Sequence, residues 1–392
     1  MWTGRPAAAR LRYSLPLEAH RPTCAEVDLG AIVHNFEVMR AVVSPAGVIA
    51  VVKADAYGHG AAVVATTLER AGVDALAVAL VEEGLELRSA GVSRPILVLG
   101  GVHAAAAPEA LRAGLTPVVY DAGQIGMLAA ASRGRPLVVH VKFDTGMSRL
   151  GMGIGPLEIA RLHRELLRHP SVRVIGAMTH LASADAHDEG PTLLQLDRFS
   201  SVLGGLRRRG LEPEVRHAAA SAAAIRFARA RLDMVRLGIS LYGESPVDEG
   251  SPGLASAMRV RTAVVQLREI PEGATVGYSG TFTASRRTRI ATLPIGYADG
   301  LSRHLSNRGE VLVRGRRAPI VGNVCMDMAM IDVTEIPDVA VGDEVVVLGR
   351  QDGDSITAKE VAARTGTISY EVLTSLSRRV PRVYLPPAGQ GG

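Results

Sequence analysis

At 392 residues the chain is too long for one small domain and has room for two, at least one with a large core. An apolar content of 47% excludes a disordered chain, and no apolar run reaches the ~18 residues of a membrane span. The net charge of +5 is spread over dispersed arginines, and aromatics are only 4% with no stripe among the basic residues, which argues against nucleic-acid binding.

The first 22 residues are basic but lack a continuous apolar segment, so they read as a loose extension rather than a signal peptide. From about Gly47 to Gly243 one pattern repeats. Short β-rich apolar runs alternate with Ala/Leu/Arg-rich helical stretches such as AAVVATTLERAG and GPLEIARLHRELLRH. The strand candidates open at Gly47, Ala75, Pro95, Thr116, Pro136, Val172, Val215 and Met234. Near-continuous apolar strands, each followed by a helix, indicate a parallel sheet covered on both faces. About eight such units over roughly 200 residues fit a closed α/β barrel of the (β/α)8, TIM type. An open doubly wound sheet fits less well, because no GxGxxG follows the first strand.

Pro, Gly and Ser break the pattern from Pro246 to Ser256. Beyond it, short and often alternating runs with turn residues between them read as an antiparallel β-domain, interrupted by one helix at Thr357 to Thr365. The expected organisation is an extension over 1–22, a barrel over 23–250, a mainly antiparallel β-domain over 251–384 and a tail over 385–392. Cys24 and Cys325 lie far apart without metal-ligand spacing, so a reducing, cytoplasmic setting is the plain reading.

Barrel active sites lie at the C-terminal ends of the strands, so chemistry is sought where each apolar run stops. The first strand ends in Lys53 and Tyr57, and the fifth in VKFDTGMSRLG with Lys142, Asp144 and Arg149. The sixth ends in His180, the seventh in HAAAS with His217 and Ser221, and the eighth carries Arg236, Gly238 and Ile239. Ser221 opens a helix, where free backbone N–H groups suit an anion, and Gly238-Ile239 allows close backbone approach. The residues themselves point to a phosphorylated ligand or cofactor faced by Lys53. Taken singly, each has a plainer reading: Lys53 as a lysine reaching for water, Arg149 as a partner of Asp144, His180 and His217 as satisfied core histidines. The spacing in THLASADAHD matches no metal site.

AVVKADAYGHG (Ala50–Gly60) resembles the pyridoxal-phosphate lysine motif of bacterial alanine racemases. VKFDTGMSRLG, THLASAD, VRLGISLYG, VGYSGTF, LPIGYADG, NVCMDM and ISYEVL resemble that family's later motifs, in order, over about Thr23 to Tyr384. The resemblance implies a racemase acting on alanine in D-alanine supply for peptidoglycan, with pyridoxal 5'-phosphate as cofactor. It also implies a head-to-tail homodimer with composite sites, without nucleic acid or membrane. Lys53 would anchor the cofactor and act as one base, and Tyr278 of the partner chain would be the other. Tyr57, Ser221, Gly238, Ile239 and Tyr370 would hold the phosphate, with His180 near the ring and Arg236 on its nitrogen. Arg149 and Met326 would contact substrate, supported by Tyr297, Asp327 and Lys142, the last resembling a lysine often carbamylated in the family. The chain departs from the family pattern at Ala220, Met328 and Phe282. A related barrel decarboxylase would be expected to place an acid where Arg236 stands. A non-catalytic carrier built on the barrel alone would lack the second domain.

Overall fold

The computed structural model describes residues 20–248 and 250–387. The expected extension over 1–22 falls outside the described residues as far as residue 19, and the tail does so from 388. The chain forms two compact units.

The first strand, β1 (Cys24–Asp28), belongs to the second unit, described below. The first unit comprises Ala31–Ala257 and Ile368–Thr374. Its eight strands are β2 (Gly47–Val51), β3 (Ala75–Val78), β4 (Ile96–Val98), β5 (Leu115–Val119), β6 (Leu137–Lys142), β7 (Val172–Met178), β8 (Val215–His217) and β9 (Met234–Leu237). They lie at the eight apolar runs of the sequence. All their pairings are parallel, in the order β8-β7-β6-β5-β4-β3-β2-β9. The ring is nearly closed: β8 and β9 approach through the single bridge Ala220↔Arg236. Between the strands lie helices whose apolar stripes cover the sheet, which is why β3, β4 and β5 are buried on both faces. The fold expected from the sequence, a (β/α)8 barrel followed by an antiparallel β-domain, is the fold observed.

The second unit comprises the described residues up to Gly30, then Met258–Thr367, and those from Ser375 onward. Its strands are β10 (Met258–Ala263), β11 (Gln266–Ile270), β12 (Thr275–Val276), β13 (Phe282–Thr283), β14 (Thr288–Leu293), β15 (Glu310–Val313), β16 (Arg316–Pro319), β17 (Ala329–Asp332), β18 (Glu344–Gln351), β19 (Asp354–Ile356) and β20 (Arg382–Leu385). One sheet runs β16-β15-β18-β10-β1-β20 with β19 on β18, another β11-β14-β17, and β12 pairs β13. Every pairing here is antiparallel except β1 with β20. The helix expected at Thr357 to Thr365 is Ala358–Thr365, capped by the Thr357 hydroxyl accepting from Glu360 N–H at 3.1 Å.

Two sequence boundaries differ from the compact units. Residues 23–30 group with the β-unit because β1 completes its large sheet, and Ile368–Thr374 groups with the barrel. Arg21, expected within the loose extension, is fixed by paired hydrogen bonds to Asp299 at 2.5 and 3.0 Å.

Candidate active site

Four buried residues of β2, Val48 to Val51, are followed by buried Val52, and the chain then turns at Lys53. Ala54, Asp55, Ala56 and Tyr57 follow with φ of 52–54°, one turn of left-handed helix without a glycine. This conformation costs roughly 1–2 kcal/mol per residue for L-amino acids, so the surroundings must hold it. The Glu83 carboxylate accepts from Ala54 N–H at 2.6 Å, and from Ala79 and Leu80 N–H at 2.8 and 3.0 Å. Asp55 accepts from Ala61 N–H at 2.7 Å. The turn brings Lys53 and Tyr57 into one cavity of about 640 Å³ at the barrel mouth.

Burial, then the Arg149 charge, pushes the Lys53 amine below its ordinary value. Lys142, at the end of β6, is pushed down to about 8 by burial and by Arg149. Both lysines and Arg149 line the cavity. The Asp144 carboxylate accepts from Gly146 and Met147 N–H at 2.9 and 2.8 Å, which leaves Arg149 without an acidic partner among the described residues. With Arg236, four basic groups line a cavity to which Glu371 is the one acidic residue contributed among the described residues, a setting for an anionic ligand.

Arg236 on β9 is buried, and its two terminal nitrogens, with four N–H groups between them, lie within hydrogen-bond distance of five acceptors, one N–H being shared. One terminal nitrogen reaches His217 Nδ1 and His217 C=O, both at 3.0 Å. The other reaches the Thr179 and Ala218 carbonyls at 2.8 and 2.9 Å and His180 Nδ1 at 3.1 Å. No described residue accepts from its Nε–H, and Arg236 lines the cavity. Burial lowers the guanidinium to about 10, which leaves it charged at neutral pH. The same burial, with the Arg236 charge, drives His180 down to about 3 and His217 well below its ordinary value, so both are neutral.

Ser221, Gly238, Tyr57 and Tyr370 line the same cavity. Ser221 Oγ accepts from Gly238 N–H at 3.1 Å and lies 3.0 Å from Ser240 Oγ. Tyr57 stacks on Tyr242 with centroids 4.8 Å apart and sits 6.0 Å from Tyr370. Burial raises the Tyr57 phenol, and burial with Asp185 raises Tyr370 to about 12, so both remain O–H donors. A Cβ on residue 238 would lie 2.5 Å from Tyr57 Oη, so only glycine lets the phenol and this backbone converge. Together these groups form a cradle that fits a phosphate, and the free Arg236 Nε–H fits the nitrogen of an aromatic ring.

The remaining candidates share a different surface. Tyr278, Tyr297, Met326 and Asp327 line a cleft of about 1010 Å³ on the β-unit, and none of them lines the barrel cavity. Tyr278 follows β12 in a short turn whose base is the buried cluster Val276, Ile290 and Val321. Asn323 donates to Tyr278 C=O at 2.8 Å, and the ring itself is 73% exposed. Tyr297 and Ala298 N–H bond the Cys325 and Met326 carbonyls at 3.0 Å each, which fixes Met326. Asp327 is paired with Arg379 at 2.7 Å.

Four supporting residues escaped the sequence reading: Glu83, Asp55, Gln195 and His140. Gln195 accepts from Ala182 N–H at 2.8 Å and donates to Thr145 Oγ1 and His180 C=O at 3.2 and 3.1 Å, tying the loops after β6 and β7 together. Glu83 had a visible signal, an acid in the first turn of a helix. His140 had one too, an imidazole set within the apolar run of β6. Among the described residues there is no cluster of metal-ligating side chains, and no helix is long and apolar enough to cross a membrane.

Sequence models of the alanine racemase N-terminal and C-terminal domains match residues 27–246 and 257–384. An alanine racemase of Sorangium cellulosum is 51% identical over 94% of this chain and 100% of its own length. One of Symbiobacterium thermophilum is 46% identical over 94% and 99%. Among solved structures, alanine racemase from Bacillus anthracis with bound L-Ala-P superposes with a TM-score of 0.89 at 36% identity, covering 95% of this chain and 96% of that one. The biosynthetic alanine racemase from Pseudomonas aeruginosa superposes with a TM-score of 0.83 at 39% identity, covering 93% and 100%.

Proposed function

The chain belongs to the alanine racemase family, isomerases that interconvert L- and D-alanine, and we propose how its residues divide that work. The observation that carries the assignment is the gathering of Lys53, Arg149, Arg236 and the Tyr57–Gly238 cradle in one barrel-mouth cavity.

The cofactor is pyridoxal 5'-phosphate. Tyr57, Ser221, Tyr370 and the backbone of Gly238 and Ile239 would hold its phosphate, His180 would contact its ring, and Lys53 would anchor it covalently. When bound, it supplies an electron-withdrawing ring that acidifies the Cα–H of the amino acid. Arg236 would present its Nε–H to the ring nitrogen and remain the cation, whereas a carboxylate there would keep that nitrogen protonated. The weaker electron demand of such a ring would favour rapid return of the proton to Cα over side reactions. This point separates the chain from a decarboxylase with an acid at that place.

Arg149 binds the substrate carboxylate through its planar guanidinium. Lys142, with its lowered amine, is suited to capture carbon dioxide, and the resulting carbamate would convert a repulsion of Arg149 into an attraction that orients it. Inversion requires one proton-transfer group on each face of Cα. Lys53 Nζ serves one face. Tyr278 Oη serves the other from a second copy of the chain, whose β-unit cleft also brings Tyr297, Met326 and Asp327 to limit the side chain admitted. The two groups of residues belong to different units of the chain, and the head-to-tail homodimer that the family resemblance implies would bring them together from two copies. We place the activity in the cytoplasm, where it supplies D-alanine for peptidoglycan.

The test is a racemase assay on the purified protein with cofactor, using L-alanine and L-serine side by side. D-alanine should form, and faster than D-serine. Absence of D-alanine formation would overturn the assignment.

A further inference from the structure

We propose that His140 is a positioning residue for the reaction: it fixes the tautomer of His217, and through it the alignment of Arg236 toward the cofactor ring. The inference rests on the assignment of Arg236 made above.

The argument follows the protons. A guanidinium can only donate, so each ring nitrogen it touches must present a lone pair. Arg236 donates to His217 Nδ1 at 3.0 Å, hence the proton of neutral His217 sits on Nε2. His217 is fully buried, and a buried N–H without an acceptor is strongly disfavoured. The acceptor is His140 Nδ1 at 2.8 Å, so His140 in turn carries its proton on Nε2. The chain of donors runs in one direction, Arg236 to His217 to His140. All three side chains are at most 4% exposed.

If the His140 acceptor is removed, His217 has a simple escape. It moves its proton to Nδ1, which then points a donor at the Arg236 donor. The guanidinium must then shift or lose that bond, and it is the group whose Nε–H faces the cavity. His140 therefore acts on Arg236 at one remove without touching cofactor or substrate.

The local backbone is built around this imidazole. The β6–β7 register shifts between Val139 and His140, and opposite stands Gly176. A Cβ at 176 would lie 2.1 Å from His140 Nδ1 and 2.4 Å from Cε1 and Cγ, so any side chain there would displace the ring.

Two measurements test this. In histidine-selectively 15N-labelled holoenzyme, two-bond 15N–1H spectra should show His217 protonated on Nε2 with a bare Nδ1. A His217 protonated on Nδ1 would overturn the proposal without any mutation. Second, His140→Asn keeps an acceptor oxygen near the Nδ1 position, and His140→Leu of similar size removes it. His140→Leu should retain cofactor yet lower kcat roughly tenfold, with the KM for alanine within about twofold and the cofactor absorbance altered. His140→Asn should recover kcat to within about threefold of the unsubstituted enzyme. Equal loss in both variants, or loss in neither, would overturn it. Failure of the unsubstituted holoenzyme to racemise alanine would instead refute the assignment of Arg236 and the cofactor, and the tautomer of His217 would still be read.

Discussion

Replacement of Gly238 by alanine probes the phosphate cradle directly. The new Cβ would lie 2.5 Å from Tyr57 Oη and 3.2 Å from Cζ, the first about 0.9 Å inside the ordinary contact distance of 3.4 Å. The Tyr57 ring has little room to retreat, because Tyr242 stacks at 4.8 Å and Tyr370 stands at 6.0 Å. The phenol must give up its place at the phosphate. Loss of one hydrogen bond to a charged group is worth about 1.5–3 kcal/mol, or roughly 10- to 100-fold in cofactor affinity. Titration of the apoprotein with pyridoxal phosphate, followed by absorbance, measures it. The double variant Gly238→Ala with Tyr57→Phe sharpens the reasoning. If the clash with Oη is the cause, the double variant should bind no more weakly than Tyr57→Phe alone, so the two effects are not additive. Fully additive losses, or an unchanged affinity for Gly238→Ala, would refute it.

Three further outcomes follow from the same geometry. Lys53→Ala should abolish borohydride fixation of the cofactor to the chain, as seen by intact mass; fixation persisting at another lysine would remove Lys53 from its role. Carbamate formation requires the neutral amine, so a 13C carbamate resonance from labelled bicarbonate should grow as pH rises through about 8, where Lys142 loses its proton, and vanish in Lys142→Ala. The buried histidines make the fold sensitive to acid. His140 and His180 titrate at about 4 and about 3, below the ordinary 6.5, chiefly through burial and then the Arg236 charge. The unfolded chain thus binds more protons below pH 6.5. Stability from these groups is complete above 6.5 and falls toward pH 4, by about 1.4 kcal/mol per pH unit for each. Urea unfolding at pH 7 and pH 5.5 reads the difference, and equal midpoints would contradict the burial argument.

The barrel was legible in the sequence because several of its strands, β3, β4 and β5 above all, are buried on both faces and so read as unbroken apolar runs. What pattern reading missed has physical causes. The left-handed turn at Ala54–Tyr57 contains no glycine and is held by Glu83, 29 residues on, a contact with no local signal. β1 joins the β-unit by pairing with β10, more than two hundred residues away in sequence, so its allegiance could not be read from its neighbours. The segment Ile368–Thr374 carries Tyr370 to the barrel cavity, but its helix, Ser369–Thr374, is too short for periodicity to mark. Around the cavity, the strand-end rule picks out Lys53, Lys142, His180, Ser221 and Arg236 from the sequence, and all five line it. It was blind to His140, which lies inside a strand rather than at its end.

The central claim is that Lys53 and Tyr278 act on the same Cα from two different copies of the chain. It is tested by mixing two variants, Lys53→Ala and Tyr278→Phe, each of which should be nearly inactive alone while remaining folded. After dissociation and reassociation, a mixed dimer has one site with both residues intact, so activity should return to about a quarter of the unsubstituted rate per chain at random pairing. If the two residues served a site within one chain, every site in the mixture would be defective, and the absence of recovered activity in verified mixed dimers would contradict the account.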